Sequence, residues 1–315
     1  MATPTARSQP QQDATRAKSP ARARRRSSRT NSAAGYLFVA PFTVVFVTML
    51  VVPLLYAAYL SVFQTRLFGG TSFVGLNNYA RALTDPQLGD GVRRVATFFV
   101  VQVPPMLLAA MVFALVLDGT TSRLAQVARL GIFLPYAVPS VVATLMWGYL
   151  YGPDFGPFAQ LANYLSLPAP DFLDRDRMLV SLANIVFWEF TGYNMIILYA
   201  ALRSIPVELY EAAAVDGAGP VRVAWSIKLP ALRPALLLAL IFSVIGAFQL
   251  FNEPNLLASA APSVISSSYT PNLYAYGLAF TGQQTNYAAA VSFLLGAVIF
   301  AASCLVLVVN RRRAS

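Results

Sequence analysis

The chain contains no histidine, a single cysteine (Cys304) and two lysines, Lys18 and Lys228. Without histidine there is no Ser-His-Asp triad and no His-bearing zinc site. One cysteine excludes a redox CxxC pair and an intrachain disulfide framework. Neither lysine follows a glycine, so the GK[ST] element of a P-loop is missing and the chain does not hydrolyse ATP by itself in the usual way. Charge is scarce too. Asp, Glu, Lys and Arg make up 11% of 315 residues, where a soluble protein carries about a quarter.

What is present instead is apolar sequence, 57% of the chain, gathered into windows without charge. These run from Thr30 to Thr65, Val95 to Leu117, Leu130 to Pro153, Met178 to Leu202 (interrupted only by Glu189), Pro234 to Asn252 and Pro254 to Asn310. A helix needs about 20 mostly apolar residues to cross a bilayer core. The first five windows each predict one span. The sixth is too polar between Ala258 and Asn286 to face lipid and predicts one span near Tyr287–Val309. The expected fold is an all-α membrane protein with six transmembrane helices. Prolines within the windows (Pro41, Pro53, Pro104, Pro105, Pro135, Pro139) are tolerated where neighbouring helices satisfy the freed backbone groups.

Residues 1–32 are expected to form a disordered basic cytoplasmic tail, and 33–315 a transmembrane domain. The tail, with ARARRRSSR at 21–29, has no composition for a core. Its arginines suit topology control and anionic lipid headgroups better than nucleic acid, which is not expected as a partner. The first apolar window is too long for a cleavable signal peptide. With the amino terminus inside, seventeen basic residues fall on the inner side and six on the outer side. Both termini are then cytoplasmic, in keeping with the positive-inside rule, although Arg93 and Arg94 lie outside.

The fourth and fifth spans are joined by RSIPVELYEAAAVDGAGPVRVAWSIKLPALRP (203–234). Pro206 suits the start of a helix, and Glu208 and Glu211 lie near its positive amino-terminal end. Ala212, Ala213 and Ala214 favour helix; Gly217 and Gly219 stop it. Pro220 permits a second short helix through Val221 to Leu229, before Pro230 leads into the fifth span. A small-residue face with Glu211 and Asp216 beside it reads as a docking knob, or as an interfacial helix that merely spaces two spans.

The spacing Glu211-Ala212-Ala213, three residues, Gly217, nine residues, Ile227-Lys228-Leu229-Pro230 resembles the EAA motif of ATP-binding-cassette importer permeases. LPYAVPSVVATLMW (134–147), FQLFNEPNLL (248–257) and NYAAAVSFLL (286–295) are similar to the carbohydrate, maltose and glycerol-phosphate type, branch of that family. The resemblance covers about Tyr36 to Asn310. It implies a cytoplasmic coupling-helix loop in which Glu211, Ala212, Ala213, Asp216, Gly217, Ile227, Leu229 and Pro230 contact an ATPase subunit. It further implies a heterodimer with a second permease subunit, two copies of an ATP-binding subunit, and an extracytoplasmic sugar-binding protein, all at the bacterial cytoplasmic membrane. No cofactor is expected on this chain; ATP and magnesium belong to the ATPase.

Glu189 is the one charged residue well inside a span, and intramembrane charge suggests function. Gly192, Tyr193 and Asn194 are near it. Phe248, Gln249 and Asn252 would share one face of a fifth-span helix, with Glu253 adjacent. Rings beside amides and carboxylates suit a sugar, and these eight residues are the expected substrate pathway. The resemblance to maltose-type permeases implies a cavity at Gly192, Tyr193, Phe248, Gln249 and Asn252. Ordinary helix packing is the competing explanation for each. Two other functions stay open: a secondary transporter using Glu189 as a proton site, and a permease of the same family for a non-sugar solute.

Overall fold

The computed structural model describes residues 32–66, 69–120, 122–154 and 156–314. The predicted basic tail lies, but for Ser32, outside the described residues. Residues up to Pro53 form one unit and those from Leu54 another. In the first, α1 (Ser32–Phe46) leads into a π-helical turn, Val47–Val51, closed by the Val52 amide on the Val47 carbonyl. The turn precedes Pro53, whose ring cannot continue the ordinary ladder. Helix α2 (Val52–Ser61) follows.

After α2 the chain departs briefly from helix. Strands β1 (Phe63–Arg66) and β2 (Gly70–Phe73) form an antiparallel hairpin, Phe63 opposite Phe73, around left-handed Gly69 and Gly70. Helix α3 (Asn77–Thr84) secures it: the buried Asn78 amide donates to the Ser61 and Phe63 carbonyls at 2.8 and 2.9 Å.

Helix α4 (Pro86–Asp118) is the longest, 33 residues, and is continuous through Pro104 and Pro105. Helix α5 (Arg123–Phe133) is capped by Ser122 and passes through a 3₁₀ turn into α6 (Ser140–Leu150). The third predicted span is therefore corrected. It is not one straight helix but a pair bent by 95°. Val138, which precedes Pro139, is extended, and a proline disfavours helix in the residue before it. The described residues hold five continuous helical segments long and apolar enough to span, and six if the bent pair counts as one.

Helix α7 (Pro157–Tyr164) precedes α8 (Met178–Arg203), which packs more extensively on α4 than on any other element. Helices α9 (Val207–Val215) and α10 (Pro220–Val223) form the connecting loop. The second loop helix is also corrected. A π turn, Ala224–Lys228, joins α10 without interruption to α11 (Leu229–Phe248), with Pro230 just after it. Then come α12 (Asn252–Leu257), α13 (Pro271–Tyr276) and α14 (Thr285–Ala314). The polar stretch after Ala258 is folded inward, with Tyr269, Thr270, Leu273 and Tyr274 buried.

Buried residues on α4 (Val95, Phe98, Gln102, Met106, Ala110, Ala114, Leu117) and on α8 (Met178, Leu182, Ile185, Glu189, Gly192, Met195, Leu198, Leu202) recur at three- and four-residue intervals. Each helix thus presents one stripe inward. Ala110 and Ala114, fully buried, permit the close approach that lipid-embedded helices need. Gly192 does the same between α8 and α5. A Cβ there would overlap the Ile132 carbonyl oxygen and crowd Phe133.

The amino-terminal end of α4 is locked by Asp85. One carboxylate oxygen caps the helix through the Gln87 amide at 2.9 Å. The other accepts from the Tyr274 and Tyr287 hydroxyls, both at 2.7 Å. Burial pushes the Asp85 carboxyl up, but the two hydroxyls and the Gln87 and Leu88 amides outweigh it and hold it below the ordinary value. Burial and Asp85 together push Tyr274 up to about 12, so it stays a donor. Arg94 closes the same end, donating to the Tyr269 carbonyl at 2.6 Å with its guanidinium over the ring.

Two predictions follow from packing. Replacing Asp85 by Ala loses a cap and strands two hydroxyls, so unfolding in detergent should come about 2–3 kcal/mol more easily. Because the folded carboxyl is depressed, the part of this contribution that depends on its charge is complete above about pH 4 and is lost as pH falls through the folded value. The gap between the thermal melts of Asp85→Ala and wild type should narrow there. Gly192→Ala should cost about 1–3 kcal/mol or more through overpacking, read as a lower melting midpoint.

Candidate functional site

A cavity of about 280 Å³ opens among α4, α6, α8, α11 and α12. Its rings come from Phe98, Phe190, Tyr193, Phe242 and Phe251, and its polar groups from Gln102, Ser140, Asn194, Ser243, Gln249, Asn252 and Glu253. Tyr193 is stacked on Tyr136 at 4.6 Å between ring centroids, which fixes its ring. The Gln102 amide sits 3.0 Å from the Met106 sulfur, and the Asn194 amide donates to the Phe190 carbonyl at 3.0 Å. The Asn252 amide reaches Ser140 Oγ at 3.3 Å, joining α12 to α6 across the mouth of the bend. Glu253 is the only carboxylate or cation among the described residues of the lining.

Five of the eight expected pathway residues meet here: Tyr193, Asn194, Gln249, Asn252 and Glu253. Gly192 faces α5 instead. Glu189 lies on the packing stripe of α8, 4% exposed, and its Oε2 has no hydrogen-bond partner among the described residues. Phe248 is half-buried and does not line the cavity. The shared helical face expected for Phe248, Gln249 and Asn252 is also corrected, because α11 ends at Phe248 and Asn252 begins α12. The break is held by side chains from far along the chain. Asn272 donates to the Phe248 carbonyl and Thr270 to the Leu250 carbonyl, both at 3.0 Å. The α4 face (Phe98, Gln102, Met106) escaped the sequence reading; its four-residue spacing was the available signal.

The loop between α8 and α11 is the second feature. In α9 no residue is buried, and Glu211, Ala212, Asp216 and Gly217 are exposed while Ala213 is half-buried. Pro206 stands at the cap, one position before the helix. At the other end Gly217 adopts φ +73°, its amide bonding the Ala214 carbonyl and the Ala218 amide the Ala213 carbonyl at 2.9 Å. That pair of bonds is a Schellman closure, which wants glycine at its left-handed position. A groove between α9 and α10 is lined by Leu209, Ala212, Ala213, Asp216, Arg222 and Ile227, among others. Leu229 is half-buried and Pro230 exposed at the start of α11. A nine-residue helix without buried contacts is marginal by itself in water. Its arrangement suits a helix that is completed by a partner.

A family model described as "Binding-protein-dependent transport system inner membrane component" matches residues 86–315. The lactose transport system permease protein LacF of Rhizobium radiobacter is 29% identical over 289 residues, 89% of this chain and 94% of that protein. The arabinooligosaccharides transport system permease protein AraP of Bacillus subtilis is 28% identical over 280 residues, 87% of each chain. A crystallised bacterial ABC transporter involved in the import of the acidic polysaccharide alginate shares the fold, with a TM-score of 0.78 at 19% identity over 89% of this chain and 96% of that one. The same kind of transporter in complex with alginate pentasaccharide-bound periplasmic protein gives 0.79 at 18% identity over 89% and 94%. The chain therefore belongs to the binding-protein-dependent transport system inner membrane components, as a multi-pass ABC transporter permease and not an enzyme.

Proposed function

We propose that this chain is one transmembrane half of an ATP-driven sugar importer at the bacterial cytoplasmic membrane, with both termini on the cytoplasmic side. The observation that carries the reading is α9, a glycine-closed helix with no buried residue, presented between two membrane-embedded helices. Glu211, Ala212, Ala213, Asp216 and Gly217 dock into an ATPase subunit, and Ile227, Leu229 and Pro230 support the loop from its second arm. Two ATP-binding subunits hold ATP and magnesium. A second permease subunit completes the cavity, and an extracytoplasmic binding protein delivers the solute. ATP-driven approach of the ATPases moves the loop and switches the access of the cavity, a rigid movement between two states.

Sugar is supported by chemistry as well as by the relatives' names. The C–H faces of a pyranose pack on Tyr193, Phe190 and Phe251, while its hydroxyls bond the amides of Gln102, Asn194, Gln249 and Asn252. Glu253 offers an acceptor in the same lining.

Glu211→Ala combined with Gly217→Val removes a charged contact and strains the closure, because a β-branched residue is disfavoured at positive φ. The amount of ATPase subunit copurifying with the permease should fall about tenfold or more. Undiminished copurification would remove the docking assignment. Glu189→Gln should leave ATP-driven uptake of the binding protein's saccharide into proteoliposomes at the wild-type rate, since the residue packs outside the cavity. Uptake that follows a proton gradient without any ATPase would instead select the secondary-transporter alternative.

A further inference from the structure

Helix α4 contributes Phe98, Gln102 and Met106 to the cavity and ends at Asp118, on the side of the connecting loop. There the Lys228 ammonium lies 2.6 Å from Asp118 Oδ2, with the side chains only 15% and 9% exposed. Lys228 closes the π turn that follows α10 and is also 5.7 Å from the ring centroid of Tyr210 on α9. A cleft lined by Asp118, Arg203, Tyr210 and Lys228 surrounds the pair. The ammonium thus joins three elements: the loop helix α9, the root of α11 and the end of α4.

We infer that the Asp118–Lys228 ion pair is the link by which movement of the loop reaches the cavity wall, with α4 as the lever. The inference rests on the importer reading. Three observations support it. A half-buried ion pair is a poor source of net stability, because desolvation offsets its attraction, and fixing register is the best-attested use of such pairs. Its attraction falls only as the inverse of distance, so it survives a displacement of an ångström, over which apolar contact loses a quarter to a half of its well. Finally, α4 is fixed at one end and lacks two backbone donors near its middle. Asp85 anchors its amino-terminal end to Tyr274 and Tyr287, and Pro104 and Pro105 leave the carbonyls of Val100 and Val101 without helix donors between Gln102 and Met106. The inner arm, from the prolines to Asp118, swings Met106 relative to Gln102 and reshapes the lining.

The test uses the assembled transporter in lipid nanodiscs, with Cys304→Ser supplying a cysteine-free chain. Spin labels at exposed Val116 on the inner arm and Tyr164 on α7 report α4; a second pair, Val221 and Tyr164, reports the loop. Distances are compared without nucleotide and with ATP plus vanadate. Both should change in the otherwise native chain. In Asp118→Asn and in Lys228→Met the loop change should remain and the α4 change disappear, and Asp118→Lys with Lys228→Asp should restore it. An α4 change that persists in the single variants overturns the inference and leaves the importer reading intact. Where a single variant does not assemble, the charge-exchanged chain decides: restored α4 movement supports the link, and an assembled chain with an immobile α4 overturns it. A loop that never moves with nucleotide, even in the native background, refutes the importer reading and this inference together.

Discussion

Lipid supplies neither hydrogen bonds nor a hydrophobic drive between helices, and the contact of α4 with α8 answers both constraints. The two helices satisfy their own backbones and then approach through small or shape-matched residues. Ala110 and Ala114 on α4 leave room for this approach, and Gly192 on α8 leaves room for the backbone of α5. Once these stripes face inward, the cavity wall is formed by the face beside the stripe on α8 and by the stripe itself on α4. Val186, Phe190, Tyr193 and Asn194 line it from α8, and Phe98, Gln102 and Met106 from α4. On α8, packing and pathway are therefore neighbouring faces of one helix, and a residue one position away changes role.

That proximity explains which site residues were readable. Glu189 drew attention because charge is rare in a span, yet its position on the α8 period places it with Ile185 and Gly192 in the packing stripe. Tyr193 and Asn194 were grouped with it by sequence and fall on the cavity side. The α4 residues attracted no notice because Phe98 and Met106 look like any apolar filling. Only the bend of α6 and the break before α12 bring Ser140 and Asn252 opposite them.

Polar groups are concentrated where helices end. Asp85 gathers two tyrosine hydroxyls at the amino-terminal end of α4, and Asp118 meets Lys228 at the other. The basic residues that fit the inside-outside count least well are also engaged. Arg93 pairs with Asp90 at 3.1 Å, and Arg94 with Tyr269.

Sequence alone determined the membrane class, the number and rough placement of apolar segments, and the loop motif. Each rests on local physics: span length against bilayer thickness, and glycine at a position that demands positive φ. Gly217 closes α9 in the left-handed conformation that glycine tolerates. Tertiary structure alone decided where helices break without a local signal. Nothing in Gln249-Leu250-Phe251 forbids helix, but Asn272 and Thr270, about twenty residues later, capture the carbonyls that the break releases. It also decided that Lys228, in the turn after α10, meets an aspartate 110 residues earlier. Such choices depend on partners distant in sequence, so their energies exist only once the helices have packed.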